Sequence, residues 1–386
     1  MSDFRNNLPG YQEICQEIKA CRKYGIDYTM DRGKTTRLVE RLHPRRVKLR
    51  VSEIITKTPT ADTFRLVARD GYLPPFQAGQ YINLYLDIHG IKTSRPYTIS
   101  SSPRQTAYWD ITVRRVPDGL VSNYLLDNVL SGFELESSGP AGNFYYNPLF
   151  QGKTQLLLAG GSGITPFMSM IREVTDAGLD RNIHLVYGNR LSTDIIFHAE
   201  LWERSLRHFS FHYHPVVEHP EKHYHGRVGI INVDMLQEIL AGEMLDSIMI
   251  CGPQAMYEAL LPHLWQLGVP ERRIRHELFT GPGDITHAPG WPPEVSPGST
   301  FSIDINGRQI IPAQAGQSLL TALENSGIVV PVLCRSGECS QCRVQLLSGQ
   351  VYQPAGVLLR ESDRKYGYIH SCQAYPVSDL AIRLSS

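Results

Sequence analysis

Long apolar runs are missing from this chain. No uninterrupted stretch approaches the roughly 20 residues needed to span a bilayer, and the N-terminal stretch carries charges throughout, with no apolar core of a secretory leader. A surplus of one charge is missing too. The 38 lysines and arginines equal the 38 aspartates and glutamates, so no global field draws the molecule to nucleic acid or to a membrane surface. Cysteine is scarce, seven in 386 residues, and odd in number. That excludes a disulfide framework as the organising principle and, with the missing leader, leads us to expect a cytoplasmic protein with no transmembrane segment. Internal repeats and low-complexity tracts are absent as well. What remains is a chain with 42% hydrophobic and 20% charged residues, too long for one core and expected to divide into several domains.

The rhythm of the sequence changes along its length. In residues 1–45, Pro9 precedes Tyr11, Ile14, Cys15, Ile18 and Tyr24 at helical spacing, with Gly25 as a stop, which predicts a short helical extension. Eight basic residues crowd Arg32 to Arg50, read most simply as a solvated face, although an acidic partner could dock there. Residues 46–150 break into short runs of alternating or β-branched residues such as "VKLRVSEIITKT" and "QYINLYLDI", separated by turn residues, which predicts an antiparallel β-barrel. Residues 151–280 alternate buried strands ("TQLLLAG", "NIHLVYG", "DSIMICGP") with helical stretches and predict an α/β parallel sheet. Residues 281–299, rich in Gly and Pro, read as a stiff linker. Residues 300–386 open with a hairpin turning at Asn306-Gly307 and a short helix.

The scarce cysteines are not scattered. Cys334, Cys339 and Cys342 stand as C-x4-C-x2-C, and Cys372 follows after 29 intervening residues. This is the plant-type ligand spacing for a [2Fe-2S] cluster: a tight loop wraps the sulfurs and a remote strand-end cysteine closes the far iron. Ser336, Gly337 and Ser340 keep that loop small. A structural zinc site is the competing reading, but zinc usually draws two C-x2-C pairs and only one is present. Residues 300–386 resemble a plant-type ferredoxin domain, an α+β (β-grasp) fold that carries one electron at a time.

Further motifs join this one. "RPYTISSSP" from Arg95 to Pro103 resembles the R-x-Y-[S/T] motif of the ferredoxin reductase superfamily. The resemblance implies that Arg95 pairs a flavin phosphate, Tyr97, next to Pro96, lies against the isoalloxazine, and Thr98 serves catalysis near the reactive ring nitrogen. Downstream, "VRRVPDGLVSNYL" places Gly119, Leu120, Val121 and Ser122 at a helix start, whose free N–H groups suit a pyrophosphate. "GPAGNF" and "FQAGQYI" complete the likeness. This favours FAD, with FMN the alternative, because a branch of the superfamily with this domain order uses FMN.

"LLLAGGSGITPF" sets Gly160, Gly161 and Gly163 between a buried strand and a helix, a turn that lets phosphates approach the backbone. It is neither the Rossmann fingerprint, since Pro166 takes the third glycine's place, nor a nucleophile elbow. The run G-G-S-G-I-T-P resembles the NAD-binding domain of the same reductases, in which Thr165 approaches the nicotinamide. "ICGPQAM" resembles its late strand, and implies that Cys251, followed by Gly252 and Pro253, faces the nicotinamide in a catalytic role; simple burial is the other reading of Cys251. "HELFTGP" puts Glu277 and Phe279 near the flavin by the same resemblance. NADH is preferred to NADPH, because "VVEHPEKHYHGR" begins with Glu218 and delays its arginine to Arg227. Its histidines read as solvated loop and strand residues rather than as a metal site.

The expectation is therefore an NADH:acceptor oxidoreductase of the ferredoxin reductase type. Nicotinamide gives two electrons together and a [2Fe-2S] centre takes one, so a flavin must stand between them. The partners implied are NADH and a protein electron acceptor, such as an oxygenase, a demethylase or another redox component. A redox-sensing binding protein with the same cofactors, or a reductase of the hybrid cluster protein, are the alternatives.

Overall fold

The computed structural model describes residues 10–25, 38–40, 42, 44–222, 224, 226–278, 284–354 and 357–384. The chain divides into two compact units, Met1–Arg45 and Arg46–Ser386. In the first, helix α1 (Tyr11–Lys23) begins behind Gly10, whose φ of 81° is a left-handed entry, and ends with Arg22 and Lys23 in its last turn, where cations suit the negative end of the helix dipole. Tyr11, Cys15, Ile18 and Cys21 lie on its half-covered side, while Ile14, expected on the same face, is exposed.

The second unit opens with six antiparallel strands, β1 (Val47–Thr58), β2 (Ala61–Ala68), β3 (Tyr81–Ile88), β4 (Ile91–Thr98), β5 (Trp109–Arg114) and β6 (Glu134–Ser137). Their spatial order is β4-β3-β6-β1-β2-β5, and a bridge between Ile99 and Ile111 brings the end of β4 to β5 and closes the curve. Alternation places Val47, Leu49 and Val51 of β1 inward and Lys48 and Arg50 outward. With Phe64, Leu84 and Trp109 they form one core, onto which helix α2 (Leu120–Asn128) packs Val121 and Leu125.

A parallel sheet comes next, made of β7 (Thr154–Gly160), β8 (Asn182–Leu191), β9 (Phe211–His219), β10 (Arg227–Val228), β11 (Ser247–Cys251) and β12 (Ile274–Glu277), in the order β10-β9-β8-β7-β11-β12. Its face cores are separate. Leu157 and Ala159 of β7 pack with Phe167 and Ile171 of α3 (Ile164–Ala177) and Leu201 of α4 (His198–Arg207). Leu156 and Leu158 point the other way, toward Leu236 of α5 (Val233–Leu240) and Tyr257 of α6 (Gln254–Leu260). Coverage on both faces is why the run "TQLLLAG" is apolar without alternation. Strand order reverses at β7, with β8 on one side and β11 on the other, so a crevice opens at their carboxyl ends.

The last portion is a mixed sheet of β13 (Thr300–Ile305), β14 (Gln309–Gln314), β15 (Arg343–Ser348), β17 (Tyr368–His370) and β19 (Leu380–Leu384), with a small ribbon of β16 (Val351–Tyr352) and β18 (Tyr375–Pro376). The hairpin turns at Asn306 and Gly307, both left-handed, with φ of 57° and 66°. Helix α7 (Leu319–Asn325), capped by Ser318 through Thr321 N–H, lays Leu319, Leu320 and Leu323 on the sheet.

The Gly/Pro-rich stretch before β13 differs from a free spacer. Ile285 and Val295 are buried, Trp291 donates its indole N–H to Val295 O at 3.1 Å and meets Tyr352 edge-on at 5.4 Å. Tyr352 OH donates to Pro289 O at 2.9 Å. Two apolar side chains and an indole are enough to anchor a segment whose composition offers few residues able to build a core.

Candidate functional site

Cross-domain hydrogen bonds hold the barrel against its neighbours. Asp194 accepts from Thr60 at 2.8 Å and pairs with Arg114. Ser169 donates to Ser101 O at 2.7 Å and Arg172 to Ser100 O at 2.8 Å. On the other side Asn83 Nδ2 donates to Val332 O at 2.9 Å. Where the domains meet lies a half-open cavity of about 410 Å³ whose walls come from all three.

The barrel wall is Arg95, Pro96, Tyr97 and Thr98 at the end of β4, with Arg114 of β5 and Gly119, Leu120, Val121 and Ser122 at the start of α2. Thr98 is buried and its Oγ1 finds no hydrogen-bond partner among the described residues, which is unusual for a buried hydroxyl unless a ligand supplies one. Gly119 caps α2 from an extended conformation. A Cβ there would collide with Ser122 Oγ, so glycine is needed for this helix start to close on itself. Arg95 Nη1 donates to Thr93 Oγ1 at 2.9 Å and to Ser94 O at 2.8 Å. Burial, and then the nearby Arg335 guanidinium, push its pKa down to about 10, so the site would gain from an anion.

From the parallel sheet, Ser162 and Thr165 reach the same cavity. Gly160 ends β7, Gly161 turns left-handed at φ 53°, and Gly163 leads into α3. Thr165 Oγ1 bonds back to Ser162 O at 3.1 Å, while Pro166 is buried in the first turn of α3. A Cβ on Gly163 would overlap the Cys251 carbonyl, and one on Gly160 would strike Pro253 and Gly252. The two sequence motifs therefore meet backbone to backbone at the carboxyl ends of β7 and β11. Cys251 itself is fully enclosed in the core cluster and does not line the large cavity. Burial, and then Glu277, push its thiol pKa well up. Phe279 lies outside the described residues. Glu277 is buried, and its carboxyl is held well above the ordinary range by burial and then by Glu338. With Thr98 and Cys334 it lines a small void of about 20 Å³.

The third wall belongs to the ferredoxin-like domain: Ser318, Leu320, Arg335, Cys372, Gln373 and Tyr375. The cysteine loop curls through left-handed Arg335, Gly337 and Ser340, with φ of 58°, 81° and 58°, a conformation that turns successive N–H groups inward as a nest for anionic sulfur. Cys339 N–H donates to Cys334 Sγ at 3.3 Å. The Cys339 thiol bonds Cys334 and lowers its pKa, and the Cys372 thiol does the same for Cys342. The four sulfurs thus stand as two pairs. Two thiolates for each iron is the arrangement a [2Fe-2S] cluster needs. His370 braces the loop from beneath, through Gly337 O at 2.8 Å and Ser340 Oγ at 3.1 Å.

Sequence reading missed Arg114, Glu324, Arg335, His370 and Gln373. An arginine directly after the first cysteine was a visible oddity, but nothing in its spacing tells which domain it faces. The histidines of β8 and β9 stack on one another. His184 stacks between His212 and His214, at 4.5 and 6.0 Å between ring centres, and contacts Glu243 at 2.8 Å. His223 and His225 lie outside the described residues.

A barrel with an unpaired buried hydroxyl and an arginine, a parallel sheet with a glycine turn at its switch point, and two thiol pairs of which Cys372 reaches the common cavity define an iron-sulfur flavoprotein reductase. Comparison with known proteins agrees domain by domain. The oxidoreductase FAD-binding domain model matches residues 46–146, the oxidoreductase NAD-binding domain model 157–261, and the 2Fe-2S iron-sulfur cluster binding domain model 303–377. The glycine betaine monooxygenase reductase subunit of Pseudomonas aeruginosa is 32% identical over 348 residues, covering 86% of this chain and 94% of its own. The ferredoxin reductase component of the 3-ketosteroid-9-alpha-monooxygenase of Rhodococcus rhodochrous is 31% identical, covering 87% and 95%. The Escherichia coli NADH oxidoreductase HCR is 29% identical, covering 87% and 97%. The solved structure of phthalate dioxygenase reductase shares the fold, with a TM-score of 0.66 at 23% identity over 88% of this chain and 98% of that one. The chain belongs to the ferredoxin reductase family, with a C-terminal ferredoxin domain. It is an NADH-dependent oxidoreductase whose cofactors are FAD and a [2Fe-2S] cluster.

Proposed function

We propose that this protein is the reductase component of a multi-component oxygenase or demethylase, delivering single electrons to a separate protein acceptor. The observation that carries this reading is that Cys372, a cluster thiol, lines the same cavity as Tyr97 and Thr98. A bound FAD accepts two electrons as hydride and gives them up singly, and the cluster carries one at a time. The protein's part is placement. Arg95 holds phosphate, Tyr97 and Pro96 flank the ring, Thr98 offers its free hydroxyl to the ring edge, and the N–H groups of Gly119 to Ser122 face the pyrophosphate. NADH enters at the β7–β11 crevice, its phosphates over Gly160, Gly161 and Gly163, with Thr165 and Pro166 directing the nicotinamide inward. Gly252 and Pro253, which follow the buried Cys251, form the floor beneath it. Cys334, Cys339, Cys342 and Cys372 bind the two irons in pairs.

The acceptor class is supported by relatives named as oxygenase reductase subunits. The acceptor itself, glycine betaine-type oxygenase or other, would be chosen at the exposed Glu338 to Gln341 rim of the cluster loop. No helix among the described residues is long and apolar enough to cross a membrane, and thiolate ligands suit a reducing compartment, so we place the protein in the cytoplasm. An anaerobic NADH titration of the full chain tests the core of this. With two electrons for the flavin and one for the cluster, about one and a half equivalents of NADH should reduce each chain completely. An end point near one equivalent, with the cluster still oxidised, would refute the relay.

A further inference from the structure

The barrel supplies the flavin contacts assigned above, yet the cavity's third wall carries a guanidinium of its own. Arg335 sits directly after Cys334, and its side chain is 11% exposed. It reaches across to the barrel, with Nη2 donating to Thr93 Oγ1 at 3.3 Å. Thr93 also accepts from Arg95 Nη1 at 2.9 Å. Both guanidinium groups share one carboxylate, that of Glu324 on α7. Arg335 is in direct contact with Glu324 Oε1, and Arg95 Nη1 stands 4.0 Å from Oε2. Glu324 is 6% exposed and the Arg95 side chain 33%, so two cations share one buried anion and one positive charge is uncompensated. Enclosed charge of this kind is costly without a partner. Arg335 Nε, moreover, is a buried donor with no acceptor among the described residues, and the side chain lines the cavity that Arg95 lines.

Resting on the flavoprotein reading, we propose that Arg335 is a second ligand of the flavin's phosphate chain, so that FAD is gripped from the barrel by Arg95 and from the cluster loop by Arg335. Glu324 is their shared counter-charge: it keeps the two guanidinium groups close and limits how strongly they attract the phosphate. Nothing but phosphate chemistry is needed to recognise this site, because a guanidinium fork with a free N–H matches phosphate oxygens in charge and geometry. Linkage makes the effect mutual. FAD binding strengthens the docking of the ferredoxin domain, and correct docking tightens FAD.

The test uses the full chain with its cluster loaded and its flavin removed, titrated with FAD and, separately, with riboflavin, which lacks the phosphates. Arg335→Gln should weaken FAD binding by roughly ten- to a hundredfold while riboflavin binding and the cluster's electron paramagnetic resonance spectrum stay as in the unmodified protein. Glu324→Gln, ten residues from the nearest thiol in sequence, should act in the opposite sense and raise the preference for FAD over riboflavin several-fold, by unmasking both cations. An equal loss of FAD and riboflavin affinity in Arg335→Gln, or no loss at all, would overturn the proposal, as would a weaker preference for FAD in Glu324→Gln. If the unmodified chain bound no flavin, the reductase reading itself would fall, an outcome distinct from these.

Discussion

Among the four thiols Cys339 is half-buried while Cys334, Cys342 and Cys372 are buried. Cys339 lines the outer rim with Glu338 and Gln341, Cys372 lines the flavin cavity, and the buried Cys334 shares a small void with Thr98. Cys339→Ser should cut acceptor-protein reduction by about a hundredfold while NADH still bleaches the flavin within about twofold of the normal rate. Stopped-flow absorbance separates the two, and loss of flavin bleaching as well would contradict the division of labour. At this scale the sequence was legible where the chemistry is local. Cysteine ligands of a curled loop must lie close in sequence, and a strand-end motif keeps Arg95 to Thr98 together. Arg335 and Glu324 were illegible, because their meaning comes from which barrel residue stands opposite, and that is decided only when two domains dock.

Two elements of the parallel sheet carry predictions of opposite kind. The first turn of α3 is pressed so closely on β11 that Gly163→Ala would drive a methyl group into the Cys251 carbonyl and the Gly252 amide, backbone atoms that cannot rotate away. We expect a loss of about 3 kcal/mol or more in stability and loss of NADH affinity, with flavin absorbance retained; melting curves and NADH titration read the two effects. The histidine ladder of β8 and β9 gives a pH dependence. Burial first, then His184, His212 and Arg227, lower the His214 pKa from 6.5 to about 4. In that window the unfolded chain binds a proton that the folded one refuses, so stability falls as pH drops from 6.5 toward 4 and levels off below. His214→Gln should flatten the decline seen in thermal melts, by an amount on the order of 1 kcal/mol once its partial exposure is allowed for. The strands themselves were readable from apolar runs and alternation. That their histidines stack across two strands was not, since a strand sequence does not reveal which neighbour lies beside it.

At the scale of the whole molecule, the three motifs and their order were written in the chain, because each domain brings its own local signature. The shared cavity was not, since it is built from the edges of all three. The stretch from Ile285 to Val295 shows the same limit: composition marked it as a spacer, and tertiary contacts made it part of the ferredoxin-like domain. Anyone isolating the electron-carrying module should therefore cut before residue 284, not at 299. Trimmed at 299, the fragment would leave the Tyr352 ring without its indole partner and invite self-association; kept whole, it brings its own tether already wound against its flank, with little slack for swinging between donor and acceptor.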